Sequence, residues 1–212
     1  MRPIRKTLSL SVADPDGAAA SQIINTTATL DGVLVVDGVA IFETARHVLI
    51  TGTASTVSVN FTITGTDRYG NAISEVIVGP AAATTAEGLL NFKTITSIVT
   101  DGDTVGAVLV GEADAAEGPW IPLDHYQTPF EVHMYGELVD SGAMTFGVEH
   151  TADNVQAIGF QENDATAYDD ATFLGKSADF QSLLTTVVRA VRMKVSAHTA
   201  GGVQLTLIQA GF

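Results

Sequence analysis

The sequence contains no cysteine. Disulfide frameworks, thiolate metal sites and cysteine nucleophiles are therefore excluded. Basic residues are scarce: 10 Lys and Arg stand against 24 Asp and Glu, for a formal net charge of −14. Phosphate backbones are bound through Lys and Arg in number, so nucleic acid is not expected as a partner. No apolar run approaches the ~20 residues of a membrane-spanning helix, and no membrane partner is expected. Aromatic residues are few, with one Trp and four Tyr, a thin supply for the platforms on which sugars stack. What the chain does have is apolar: 46% of its 212 residues are hydrophobic and 16% charged. That balance suits a folded chain with a sizeable core.

Reactive constellations are also missing. There is no G-x-S-x-G, no H-E-x-x-H and no phosphate-cradling glycine loop with its lysine. His47, His125, His133, His150 and His198 show no i, i+2 or i, i+4 pairing of the kind that holds a metal. "DSG" at 140–142 with His150 fails as a triad, because Asp, Ser and Gly are what a tight turn uses. "DPDG" at 14–17 and "DGD" at 101–103 resemble pieces of calcium loops but lack the remaining oxygen ligands. Asn25 and Asn60 open glycosylation-type triplets, and Asn60 falls inside a strand pattern. The N-terminal "MRPIRKTLSLSVADPDG" has basic residues before an apolar stretch. "TLSLSV" alternates, however, and a signal peptide needs a continuous apolar core. Catalytic residues, metals and cofactors are accordingly not expected.

The dominant signal is period two. In "VNFTITGTDRYGNAISEVIVGP", Val59, Phe61 and Ile63 alternate with Asn60, Thr62 and Thr64, a strand with one buried face. A Gly/Asp/Asn cluster follows, then a returning strand that Gly79-Pro80 ends. "FKTITSIVTDGDTVGAVLVG" reads as strand, turn and strand. "EVHMYGELVDSGAMTFGVEH" reads as two strands around a "DSG" turn, and "VRAVRMKVSAHTAGGVQLTLIQAGF" as two around Gly201-Gly202. Only "AAASQII" and "SADFQSLLTTVV" carry weak helical spacing. The prediction is an all-β fold with minimal helix.

A composition break at 112–130 holds three of the six prolines and the only Trp. It divides the chain into a β-sandwich at 1–112, a proline-containing connector at 113–130 and a second sandwich at 131–212. Both are expected to be jelly-roll-like and similar in plan. Residues 150–186 are irregular and acid-rich, and a long loop in a compact fold is usually functional. Phe160, Tyr168 and Phe173 within it are expected to bury against a neighbouring element or chain.

From about residue 46 onward the texture resembles small β-rich virion proteins of tailed bacteriophages. "ITGTASTVSVNFTITGTDRYGNAISEVIVGP", "FKTITSIVTDGD", "GPWIPLDHYQTPFEV" and "VRAVRMKVSA" carry the resemblance. It implies a non-enzymatic structural protein on the capsid surface, of the decoration or cement kind. Head–tail connector, tail component and receptor- or carbohydrate-binding module are the alternatives. The implied partners are the major capsid protein or other virion proteins, with a homo-oligomer, trimer before dimer. The candidate contact residues are Arg2, Arg5 and Lys6 on a basic arm, Phe160, Tyr168 and Phe173, and the late basic strand face at Arg189, Arg192 and Lys194.

Overall fold

The computed structural model describes residues 3–209. Ten strands precede residue 113: β1 (Ile4–Ser9), β2 (Ala19–Gln22), β3 (Val35–Val36), β4 (Val39–Arg46), β5 (Val48–Gly52), β6 (Asn60–Thr66), β7 (Ala72–Val78), β8 (Thr84–Glu87), β9 (Phe92–Thr100) and β10 (Val108–Glu112). Six follow: β11 (Ala116–Glu117), β12 (Ile121–Pro122), β13 (Val132–Thr151), β14 (Tyr168–Asp169), β15 (Phe180–Leu184) and β16 (Ala190–Gln209). One 3-10 turn spans Glu162–Asp164, and no α-helix occurs among the described residues. The protein is all-β and built of antiparallel sheets. It divides into two compact units: Ala13–Ala116, and the segment up to Val12 together with Glu117 onward.

The N-terminal unit has a five-stranded sheet, β3-β4-β9-β6-β7, and a four-stranded sheet, β2-β10-β5-β8. β6 and β7 form the hairpin that the alternation predicts, paired from Asn60↔Val78 to Thr66↔Ala72. Its turn is organised by the Asp67 carboxylate. That group accepts from the Tyr69 amide at 2.8 Å, the Asn71 amide at 2.9 Å and Asn71 Nδ2 at 2.9 Å. The inward residues make one core across both sheets. Phe61, Ile63, Ile95 and Ile98 come from one sheet, and Val48, Ile50, Val108 and Val110 from the other. Each contributes about 1.5–3 kcal/mol by leaving water.

The C-terminal unit is one seven-stranded sheet. Its frame is a pair of 20-residue strands, β13 and β16. They run antiparallel from Val132↔Gln209 to Thr151↔Ala190. The expected turns at 140–142 and 201–202 are not turns. They face each other across the ladder, where the register shifts between Val139 and Ala143. Asp140 has φ 56° and Gly201 φ 75°. A bulge and a tight turn call on the same residues, those that tolerate positive φ, and here both long strands bend instead of reversing. The flanking strands differ on either side of the bend. β15 and β1 flank one half and β14 and β12 the other. Gly136 pairs with Phe180, whose ring occupies the space a Cβ on Gly136 would need. Phe180 in turn lies 5.7 Å from Phe146 and 5.8 Å from Phe173 between ring centroids.

Four further expectations are corrected. The N-terminal segment does not belong to the unit that follows it: Ile4–Ser9 pairs with Leu207–Gly202 on β16, and Leu8 is buried. A six-residue strand carries no mark of which sheet it will join, so the boundary at 112 and the arm of the first sandwich both shift. β9 and β10 do not form a hairpin either, because they lie in different sheets. The "DGD" between them crosses the sandwich, and Asp101 holds Asn60 through its amide at 2.8 Å and its Nδ2 at 2.7 Å. The two weakly helical stretches are strands β2 and β15. Phe180 and Leu184 are four apart, a spacing that also places them on one strand face. The similarity of plan between the halves extends to antiparallel sheets and not to topology.

Candidate functional site

The structure separates the candidate contact residues into three groups. Arg2 lies outside the described residues. Arg5 and Lys6 are exposed on β1, at the sheet edge. Such charged positions keep an edge from pairing with another chain, which weakens the view of β1 as an arm searching for a partner. Phe173 is buried in its own unit, Phe160 is half-buried, and Tyr168 is 54% exposed with its ring 5.9 Å from that of His150.

The late basic face is engaged within the chain. Glu149 and Arg192 are directly opposite on β13 and β16. Arg192 Nε donates to Glu149 Oε2 at 2.7 Å, and Lys194 Nζ lies 2.8 Å from Glu149 Oε1. Lys194 also reaches Asp169 at 3.2 Å, and Arg192 approaches Glu162 at 3.9 Å. The Arg192 guanidinium lies 4.5 Å over the Trp120 ring, whose Nε1 donates to the Glu162 carbonyl at 3.3 Å. The acid-rich loop at 150–186 thus supplies Glu162 and Asp169 to these cations within one chain. Glu149, Glu162, Asp169 and Trp120 are the members that sequence reading missed. The strand register that brings Glu149 opposite Arg192 depends on the bulge at residue 140, so position in the sequence does not reveal it.

Glu149 is the hub, and its side chain is only 6% exposed. Burial lowers the Lys194 pKa, but the hydrogen bonds and charges of Glu149 and Asp169 outweigh it, so the net shift is upward from 10.5. A raised cation pKa contributes stability that is complete at neutral pH and is lost as pH climbs through the folded value. Glu149→Gln is expected to cost about 2–3 kcal/mol at pH 7, because two partly buried cations lose their counter-charge. Urea unfolding should show the gap between wild type and variant narrowing in strong alkali.

Arg189 stands apart from this cluster. Its backbone is fixed, the amide donating to the Thr151 carbonyl at 2.9 Å and the carbonyl accepting from Leu123 at 2.8 Å. Its side chain takes no part in the ion pairs above.

The largest assembly-competent feature is a surface rather than a cluster. On the five-stranded sheet the outward residues are cross-strand neighbours in rows. Val99, Thr62 and Val76 form one row, and Ser97, Thr64 and Ser74 the next. Thr66, between Ala72 and Thr94, makes a third, which Ile41 on β4 extends. None of these side chains is charged, in a chain of net charge −14. Val76 is 61% exposed and Ile41 43%. At ~4.8 Å between strands and ~3.3 Å per residue, the face covers on the order of 400 Å².

Among the described residues, no group of three or more His, Asp or Glu is placed to hold a metal ion. The fold and this surface define a class: an all-β protein of two antiparallel-sheet units, one of which presents an uncharged patch on a sheet face. Compared with known proteins, the chain matches no family model and no curated protein sequence.

Proposed function

We propose that the protein is a non-enzymatic structural component of a tailed-phage virion, a decoration protein that stands on the capsid surface and stabilises the head through contacts between subunits. The uncharged Thr, Ser and Val rows of β9, β6 and β7, which Glu43 on β4 borders, carry this reading. A strongly acidic protein present in many copies repels its neighbours over most of its surface. It can approach a lattice closely where no charge has to be stripped of water. Thr, Ser and Val rows on a rigid sheet offer that approach, and weak contacts repeated on a lattice add up through avidity. The acidic remainder of the surface then faces solvent and keeps the protein soluble before assembly.

The test is peptide mass spectrometry of gradient-purified particles produced with this gene. The wild-type chain is expected to band with the particles in high copy. Val76→Glu places one buried-on-docking charge on the face and should remove the protein from the band, by about tenfold or more, while thermal unfolding stays within about 0.5 kcal/mol of wild type. Wild-type protein left wholly in the soluble fraction would sink the reading.

A further inference from the structure

We propose that a cleft in the C-terminal unit binds an acidic sugar, a hexuronate or a sugar unit of like chemistry bearing one carboxylate. The cleft has a volume of about 370 Å³. That is within the range of small-molecule sites and the size of one or two sugar rings. Four features select the ligand.

The first is the Arg189 side chain, which lines the cleft and makes no hydrogen bond or ion pair among the described residues. Arg46 and Arg192, by contrast, each hold a carboxylate of their own chain. A planar guanidinium on a fixed backbone is suited to bidentate capture of a carboxylate. The second is His125, whose Nε2 is buried without a hydrogen-bond partner. Such an atom costs about 1–3 kcal/mol until something satisfies it; a ligand meets it only when the ring turns, and a sugar hydroxyl then serves either tautomer as donor or acceptor.

The third is Tyr126, on the cleft rim and 82% exposed. Its ring is braced by that of His125 at 4.0 Å. An exposed, held ring beside a cleft that Leu123, Val155 and Leu207 also wall offers a face to the C–H groups of a pyranose. The fourth is rigidity. Gln209 clamps the loop, its Oε1 accepting from the Asp124 amide at 2.9 Å and its Nε2 donating to the Asp124 carbonyl at 2.7 Å. The Asp124 carboxylate accepts from the Tyr126 amide at 3.1 Å. A loop ordered before binding has little entropy left to lose.

Rival ligands fit less well. A phosphate needs several cations or converging amides, and here one arginine shares the cleft with the Asp124 carboxylate, which repels a dianion. A neutral sugar leaves Arg189 unpaired. A purely apolar ligand leaves both Arg189 and His125 Nε2 desolvated and unsatisfied. The Asp124 carboxylate has an oxygen left to accept a sugar hydroxyl, a role no fatty or aromatic ligand would use.

Titration of the full chain with D-glucuronate, D-glucose and acetate, followed by amide shifts in ¹H–¹⁵N spectra, tests this. Glucuronate is expected to bind saturably with Kd on the order of 1 mM, with glucose and acetate each about tenfold weaker or more. Arg189→Gln should abolish the preference for glucuronate over glucose. Tyr126→Ala, at a ring the fold does not rest on, should weaken both sugars together. Equal affinity for glucose and glucuronate, glucuronate binding unchanged in both variants, or no saturable shift at cleft residues would each overturn the proposal. Particle incorporation is a separate readout, so the site and the virion role stand or fall apart.

Discussion

Arg46→Met is expected to cost the N-terminal unit about 3–5 kcal/mol at pH 7, and much less in acid. Arg46 is fully buried at the end of β4, with Nη1 3.5 Å from Glu112 Oε2 and 3.3 Å from the Ala113 carbonyl. Burial raises the Glu112 pKa from 4.5, and the attraction of Arg46 only partly offsets it. Burial likewise lowers the Arg46 pKa, against the pull of Glu112, Asp114 and Glu43. Methionine fills much of the arginine's volume but leaves a carboxylate in a place that water does not reach. The folded chain then holds its proton more tightly than the unfolded chain does. A group with that sign destabilises most above its folded pKa, and the penalty fades as pH falls towards 4.5, its ordinary value. Urea midpoints at neutral and mildly acid pH should therefore converge on acidification, and a second change, Glu112→Leu, should recover most of the loss at pH 7. A penalty independent of pH would show that Arg46 acts through packing rather than through Glu112.

The second large effect is expected at Gly65, within β6. A Cβ there would fall on the Thr94 carbonyl oxygen and lie 2.8 Å from the Thr94 carbonyl carbon. These are backbone atoms of β9, in the middle of the five-stranded sheet, and they cannot rotate away. The register slips between Thr64 and Gly65, so the chain passes closer to its neighbour here than a regular ladder allows. Gly65→Ala should cost about 3 kcal/mol or more, since β6 and β9 must part to admit one methyl group. Gly70 is the control. Its φ is 84° and nothing lies within 4 Å of its Cβ position. Gly70→Ala is therefore limited to the backbone term of about 1–2 kcal/mol. Denaturant midpoints of the two variants give the comparison, and equal losses would refute the packing argument.

Much of the β architecture is legible in the sequence, because a half-buried strand writes its alternation locally. Val59, Phe61 and Ile63 are read correctly without any partner. What is not legible is pairing at a distance. Asp140 and Gly201 are turn formers by composition, and only the opposite strand makes them a pair of bulges. Ile4 to Ser9 alternates whichever edge it joins, and the edge it joins lies near residue 207. Arg192 and Lys194 advertise a basic face, but their partner Glu149 is fixed by a register that spans the bulge. The cleft is harder still. His125 and Tyr126 sit in a stretch read as a connector, Arg189 was grouped with the basic face, and the fold alone brings them to one opening. Irregular loops leave no period to count.

The pairing of β1 with β16 also has a consequence in time. Residues 4–9 emerge from the ribosome before any of the N-terminal unit, yet their partners, residues 202–207, emerge after all of it. Asp14 and Glu112 are already joined, the Glu112 amide donating to the Asp14 carbonyl at 2.8 Å. The intervening unit thus closes on itself as a loop inserted into its neighbour's chain path. It can complete its core while β1 waits unpaired. The Lys and Arg side chains of that waiting strand then guard it against the other nascent chains nearby, a task that ends once β16 arrives.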